Sequence, residues 1–418
     1  MWYVCVSEAG IVVKVLCVFG QHNYGDPERG LGYEYSNFIP ALKNLGHEVL
    51  FFESLNKSCY NDYADMNRQL LQTVQTEKPD LIFFVLMTYE IWLETLDLIR
   101  KGSAAALIHW ATDDSWKYEQ FSRFMAPSFD LYATTYSSAV DKAVADDMDN
   151  FMLTQWAADS ERMVPPLKAK ECLYEVSFVG STYGNREKWV EGLKQRGIQV
   201  EAFGYGWPNG PVPVEDIARI MRGSKISLNF GDSDMVIQGG KAVRSRQIKA
   251  RVFEVTGAGG LLVTEMAEDI DKFYLLGKEI VVFEGEDDLA KEINYLLSHP
   301  DKRDAIAQAG YARAKAEHSY EIRFSRLIEK VMERKGVTYV ASKDIDLESF
   351  EVLAKSHRPH TLLFLLKFLL LLPCMLIWGK ERGGRAARRL LFEFSWRYLG
   401  KKTYSATNWA GRIFYKQS

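Results

Sequence analysis

Twice along this chain, short runs of wholly apolar residues alternate with helical stretches of 10 to 15 residues, and that rhythm leaves few folds open. The first series reads "VKVLCVFG", "YEYSNFIPALKNLG", "HEVLFFES", "ADMNRQLLQTVQTEKP", "DLIFFVLM", "EIWLETLDLIRKG", "AALIHWATDD" and "DLYATTY". A strand that is apolar at every position is buried on both faces, and strands of that kind joined through helices form a parallel sheet covered on each side. The pattern restarts at "EVSFVGS" and runs through "NREKWVEGLKQRG", "IQVEAFG", "SKISLNFG", "GLLVTE" and "KEIVVFEG". The sequence therefore predicts an α/β protein with two doubly wound, Rossmann-like domains, at 1–160 and 161–335, with Pro165 and Pro166 in the connection. A length of 418 residues, too great for one ordinary core, agrees. Facing one another, two such domains would border a cleft with the carboxyl ends of their strands, where open α/β sheets hold ligands.

After about residue 335 the alternation stops, and 336–418 reads as a linker and tail. "HTLLFLLKFLLLLPCMLIWG" is apolar over 19 positions apart from His360, Lys367 and Pro373, long enough to reach across a bilayer. Charge sharpens the point. From Gly379 onward ten bases face two acids, a local +8 that leaves −11 on residues 1–378. An anionic partner attracted by charge would meet the tail alone, and no nucleic acid is expected. The basic, aromatic "KERGGRAARRLLFEFSWRYLGKK" suits an amphipathic segment on an anionic membrane. Residues 360–402 are thus expected to associate with a membrane, as a monotopic or re-entrant anchor; a buried core helix is the alternative. The N-terminal "MWYVCVSEAG" lacks the basic leader and cleavage site of a secretory signal. Its first 10 residues read as an extra edge strand or a misplaced start. Five cysteines without paired spacing indicate a reducing compartment and no zinc site.

Several strand ends carry polar or glycine-rich sequence. "FGQHNYGDPERGLGYEY" sets Gly25, Gly30 and Gly32 after the first strand, where backbone N–H groups can approach an anion or a sugar. The dinucleotide spacing GxGxxG is absent. "HWATDDSW" places Asp113 and Asp114 between Trp110 and Trp116, a composition suited to sugar, although Asp also caps helices. "VSFVGSTYGNRE" offers Gly180, Ser181 and Arg186 to a diphosphate, or is a plain β–α turn. "SLNFGDSD" puts Asn229 on the same rim. In "RQIKARVFEVTGAGG", Lys249 and Arg251 precede Glu254 and Gly259 on a short helix. There Glu254 would accept from ribose hydroxyls while the bases balance phosphate, or the group is a solvated helix start.

The order of "VSFVGSTYGNRE", "KARVFEVTGAGGLLVTE", "KEIVVFEGEDDLAKEINYLLSHPDKRDAIAQAG" and "HSYEIRF" resembles that of the CgeB-like, spore maturation protein B-like glycosyltransferases, over roughly residues 12–332. These are similar to the family 4 retaining enzymes of the GT-B fold. The resemblance implies a metal-independent, cofactor-free enzyme with its nucleotide-sugar on the second domain. It implies that Glu254 is the second glutamate of the Glu-x7-Glu motif and bonds the ribose, with Lys249 and Arg251 as diphosphate partners. The first glutamate of that motif would fall at Arg246, so contacts to the donor sugar must differ here. The turn at Gly30 and Gly32 matches the loop near the donor phosphates and acceptor, and Asp113 falls where an acceptor-orienting group or general base is expected.

The expected activity is sugar transfer from a nucleotide donor to a surface-glycan or lipid-linked acceptor, at the cytoplasmic face of the inner membrane. Asp113, Lys249 and Arg251 are the catalytic candidates; Gly30, Gly32, Asp114, Gly180, Ser181, Arg186, Asn229, Glu254 and Gly259 are those for substrate. A nucleotide-sugar epimerase and a non-catalytic nucleotide- or glycan-binding subunit of an envelope assembly are the alternatives.

Overall fold

The computed structural model describes residues 12–238, 241–336, 344–357 and 361–414. The N-terminal stretch 1–10 and His360, on which expectations rest above, lie outside them.

The chain divides into two compact units. The first comprises Met1–Thr134, Ala139–Leu153 and Arg326–Ser418, and the second Thr135–Ser138 and Thr154–Ser325. The first unit is built on six strands: β1 (Lys14–Phe19), β2 (Glu48–Glu53), β3 (Leu81–Phe84), β4 (Ala106–Ala111), β5 (Leu131–Thr134) and β6 (Phe151–Leu153). They pair in the order β2-β1-β3-β4-β5-β6, all parallel. Val15 stands opposite Val49 on one side and Leu81 on the other, so the apolar run of β1 is flanked by apolar runs. Leu16, Val18, Ile82, Phe84 and Leu107 are buried in one cluster with side chains of the covering helices. Those helices begin where the sequence supplies a cap: Asp62 accepts from the Asp65 N–H (2.7 Å) at the start of Tyr63–Glu77, which ends on left-handed Lys78.

The second unit repeats the plan with β7 (Tyr174–Val179), β8 (Glu201–Phe203), β9 (Ser224–Asn229), then β10 (Asp232–Gln238) and β11 (Lys241–Arg246), and finally β12 (Leu262–Glu265) and β13 (Val281–Phe283). Five of these form a parallel sheet ordered β13-β12-β9-β7-β8. Read from β8, this is the sequence second-first-third-fourth-fifth, the same order that the first unit shows from β2. Both sheets therefore reverse direction beside their first strand, and a ligand crevice is expected at the carboxyl end of that strand. Buried Arg303 fastens the helix Pro300–Glu317 to this sheet by donating to the Lys225, Ser224 and Leu167 carbonyls at 2.7, 2.9 and 2.7 Å.

Two features depart from expectation. β10 and β11 form a separate antiparallel ribbon between β9 and the helix Arg251–Gly257, where the sequence alone indicates a strand end and a helix start. The C-terminal segment packs back onto the first unit. Phe350 stacks on Trp92 with ring centres 5.9 Å apart, and Arg68 pairs with Glu351. The long helical element Thr361–Leu399 breaks at Gly379, whose φ of 77° is not helical. The described helices include one long and apolar enough to cross a membrane by length and composition, Thr361–Lys380, with mean hydropathy 2.3.

Candidate functional site

In the first unit the strands β1 to β4 end around a cavity of about 240 Å³. Phe19 and Gly20 follow from β1, Leu55 from β2, Val85 and Met87 from β3, and Thr112 and Asp113 from β4; Gly32, Tyr33 and Glu34 complete it from the helix Tyr33–Asn44. The rim depends on Gly32. Its N–H donates to the Gln21 carbonyl (2.7 Å), and a Cβ there would lie 3.2 Å from the Gly20 carbonyl oxygen. Gly30 is left-handed (φ 74°) with open space around it and is not part of the cavity wall.

Asp113, two residues past the end of β4, is partly exposed. Its Oδ2 accepts from Thr112 Oγ1 at 3.3 Å and lies 3.6 Å from the Lys117 amine one turn on. Glu34, not among the residues singled out from sequence, shares this wall. Burial lifts its carboxyl above the usual carboxylate range; its own N–H pulls it back, Asp113 pushes it further up, and Lys117 lowers it. Two carboxylates thus line a strand-end cavity, one of them beside the Lys117 amine, the composition needed to orient a hydroxyl and handle its proton. The only sequence signal for Glu34 was its place two residues after Gly32.

Asp114 is turned into the protein. It is 2% exposed and accepts from Ser122 Oγ, and burial raises its pKa against the Ser122 and Thr134 bonds. It fixes the turn after β4 and is not among the cavity residues. Trp110, expected beside the acids as a sugar platform, is fully buried against Phe38, 5.1 Å between ring centres. It faces the core because β4 is covered on both faces. Trp116 is half-buried beneath two cations, Lys117 Nζ at 5.3 Å and Arg389 at 5.7 Å from its ring centre.

In the second unit the equivalent place, the end of β7, gathers five of the expected residues. Gly180 follows β7 and its carbonyl accepts from Trp207 Nε1 at 2.6 Å. Arg186, 7% exposed, opens the helix Arg186–Gln195 and donates to the Ser181 carbonyl at 3.0 Å. Arg251 donates to Asn229 Oδ1 at 3.2 Å, and Asn229 Nδ2 donates to Thr264 Oγ1 at 2.9 Å. Both guanidiniums lie over the Phe178 ring, Arg186 at 5.4 Å and Arg251 at 5.0 Å from its centre. Burial first, and the Arg251 charge second, bring the Arg186 pKa down to about 10, with Asp232 opposing. Two like charges held together on an aromatic face, beside backbone at a strand end, suit an anion with several oxygens such as a diphosphate.

Lys249 lies in the turn before the helix Arg251–Gly257, and Glu254 one turn inside it, its N–H bonded to the Ala250 carbonyl at 3.0 Å. Gly259 belongs elsewhere. It sits beyond the far end of that helix from Arg251, and a Cβ there would fall 2.5 Å from the Val164 carbonyl oxygen, so it packs the connecting segment. Arg246 is engaged too: its Nε lies 3.2 Å from Oε1 of Glu265, a fully buried carboxylate that also pairs with Arg244 and accepts from the Gly231 N–H at 3.0 Å. Nothing in the sequence marked Glu265, which reads as the last residue of a strand.

Residues 186–329 match the family model described as glycosyl transferase-like. No curated protein sequence matches the chain. Among solved structures, a glycosyltransferase from Rickettsia africae aligns with TM-score 0.55 at 13% identity, over 77% of this chain and 98% of that one. HepE from Anabaena, solved with UDP and glucose, aligns with TM-score 0.52 at 12% identity, over 77% and 100%. The sucrose-phosphate synthase of Thermosynechococcus elongatus gives 0.51 at 11%, over 77% and 99%. Likeness at such identities is a likeness of fold: α/β units with parallel sheets, as in GT-B glycosyltransferases. A glycosyl transferase-like domain on that fold makes the chain an enzyme of glycosyl transfer.

Proposed function

We propose that the chain moves a sugar from a nucleotide-sugar donor to a surface-glycan or lipid-linked acceptor at the cytoplasmic face of the inner membrane, with retention and without a metal. The observation that carries the donor half is the pair Arg186 and Arg251 over Phe178. As the bond from the anomeric carbon to the diphosphate breaks, negative charge grows on the leaving oxygens. Two fixed guanidiniums stabilise that charge more than they stabilise the bound donor. Glu254 takes the ribose hydroxyls in this reading, and Lys249 adds to the cationic field. HepE, of the same fold, was solved with UDP, which puts UDP-sugars first among donors to try.

On the acceptor side, Asp113 and Glu34 hold the attacking hydroxyl in the first unit's cavity. The hydroxyl oxygen bonds the anomeric carbon, and its proton passes to the departing diphosphate or to Asp113. What supports a membrane-borne acceptor is the fastening of the basic C-terminal segment to the turn that starts at Asp113. Tyr404 donates to the Gln120 carbonyl, its ring meets Phe121 at 5.1 Å, and Arg389 covers Trp116.

The test is a thermal-shift screen with UDP-, GDP- and dTDP-sugars, followed by release of nucleoside diphosphate with and without membrane-extracted acceptor. A donor that stabilises the native chain but not Arg251→Met or Glu254→Ala, and turns over only with acceptor, is the expected result. Binding without turnover under any acceptor would leave a nucleotide-binding subunit, and no binding at all would remove the donor site.

A further inference from the structure

The apolar segment near the C-terminus is one arm of a pair. Gly379 interrupts the helical element, and the return arm packs against the first: a Cβ on Gly383 would lie 2.5 Å from the Met375 Cα and 2.6 Å from the Cys374 carbonyl oxygen. Leu371, Cys374, Ala387 and Leu391 are buried together, with Ile413 and Phe414 closing the cluster. Small residues on the return arm thus bring two backbones into contact, so neither arm can move without the other. Both roots of the hairpin are held on the first unit. His357 Nδ1 donates to the Ala406 carbonyl (3.1 Å) and the ring packs on Trp92, Arg412 donates to the His357 carbonyl (3.2 Å), and Ser405 Oγ and the Ala406 N–H donate to Glu94.

What the hairpin shows to the outside is apolar on the first arm and mixed on the return arm, where Leu390, Phe394 and Tyr398 are exposed among the bases. Phe364, Leu365, Phe368, Leu369, Leu376 and Ile377 are each more than half exposed. A contiguous apolar patch of that extent is an interaction surface. Its neighbours on the return arm and just past it include exposed Lys380, Arg382, Arg385, Arg389, Lys401 and Lys402. Since residues 1–378 carry −11, an anionic surface would repel the body of the protein and attract only this part.

We infer that residues 361–399 form a helical hairpin that lies in the plane of an anionic bilayer surface, its apolar arm sunk at the level of the acyl boundary and its tip on the same side as the rest of the chain. Taken alone, the first arm of 18 residues is about 27 Å long and could cross. The packed return arm forbids it, because Arg385, Arg388, Arg389 and Arg397 would be carried into the hydrocarbon with it. Lying flat satisfies both arms: leucines and phenylalanines enter the interface and the guanidiniums stay among the headgroups. This deepens the proposal of a membrane-surface enzyme and rests on it.

The experiment uses the full chain with Cys5, Cys59 and Cys172 replaced by serine and Gly384→Cys introduced beside the tip, where a Cβ meets nothing within 4 Å. It is added to preformed vesicles of phosphatidylcholine with or without phosphatidylglycerol, floated, and treated with a membrane-impermeant maleimide. Expected are flotation favoured on the order of tenfold or more by phosphatidylglycerol and weakened by salt, full labelling from outside, and loss of flotation in Phe368→Glu/Leu369→Glu with the melting temperature unchanged. Flotation with a label protected until detergent is added would overturn the in-plane hairpin alone. Failure to float on either vesicle would overturn the membrane reading with it, leaving the glycosyl-transfer reading untouched.

Discussion

The Arg251 guanidinium occupies the space that a side chain on Gly180 would take: a Cβ built there falls 2.6 Å from Arg251 Nη2. The glycine's φ of 154° and this close approach make the residue after β7 part of the proposed anion site although it contributes no side chain. Gly180→Ala is expected to displace Arg251 from Phe178 and Asn229. Affinity for the nucleoside diphosphate should fall at least tenfold, with a loss of stability of about 1–3 kcal/mol from the strained backbone. Isothermal titration beside a melting curve checks both, and an alanine variant with unchanged affinity would show that Arg251 does not touch the ligand.

Arg186 presents the reverse balance. Burial and the charge of Arg251 disfavour its ionised form, bringing its pKa down to about 10. Replacing it with Met removes a disfavoured charge and keeps much of the apolar contact with Phe178. Arg186→Met should therefore leave the melting temperature near or above that of the native chain, while diphosphate affinity drops by roughly 10- to 150-fold for one lost charge-assisted contact. Stability and binding moving in opposite directions is the signature of a binding charge; a parallel fall would assign Arg186 to the scaffold.

Both sheets were legible in the sequence, because fully apolar strands separated by helices permit little else, and Gly180, Ser181 and Asn229 were legible as residues just past or at strand ends, Arg186 and Arg251 as bases at helix starts. The side-chain direction of neighbours was not. Asp113 and Asp114 look alike in sequence, yet one lines a cavity and the other is buried on Ser122. Trp110 faces the core because its strand is covered on both faces. Glu34 and Glu265 escaped notice for a related reason: a lone glutamate in a helix or at a strand end gains meaning only from partners distant in sequence, Asp113 and Lys117 in one case, Arg244 and Arg246 in the other.

Glu34 and Asp113 can be separated by their effects. If they orient the acceptor hydroxyl, Asp113→Asn and Glu34→Gln should each lower acceptor-dependent turnover by about 10²–10⁴-fold while donor binding is unchanged. Since burial raises the Glu34 pKa, activity that needs its carboxylate should fall on the acid side at a higher pH than an ordinary glutamate would give, and Glu34→Gln should abolish that limb of the pH profile. Equal losses in donor affinity would contradict an acceptor role.

Acid should unfold the protein through its buried histidines. Burial brings the pKa of His109 down to about 3, and those of His318 and His357 to about 4, from an ordinary 6.5. The folded chain keeps them neutral while the unfolded chain protonates them below 6.5. Their share of the stability is intact above that pH and is lost as pH falls toward 4, at roughly 2–4 kcal/mol each. Urea midpoints at pH 7.0, 5.5 and 4.5 should fall steeply, and less steeply in His318→Gln. A flat profile would mean that these rings are hydrated or charged in the folded chain.

The carboxylate of Glu265 is 0% exposed and is held by Arg244, Arg246 and the Gly231 N–H. Its partners come from the antiparallel ribbon and the turn after β9, so this one side chain ties the ribbon to the end of β12. A buried carboxylate is tolerated only while its charges are matched, and removing it leaves two arginines, Arg244 and Arg246, beside one remaining acid, Asp232. Glu265→Leu is expected to cost about 3–5 kcal/mol, whereas Arg246→Ala, removing a partly exposed arm at the rim, should cost about 1 kcal/mol. The double variant Glu265→Leu/Arg244→Met should recover part of the loss, since it leaves one arginine, Arg246, to one acid, Asp232, which stands opposite it in the ribbon. Denaturant midpoints of the three variants decide the matter: a double variant no more stable than Glu265→Leu would mean that packing, not charge pairing, holds the ribbon in place.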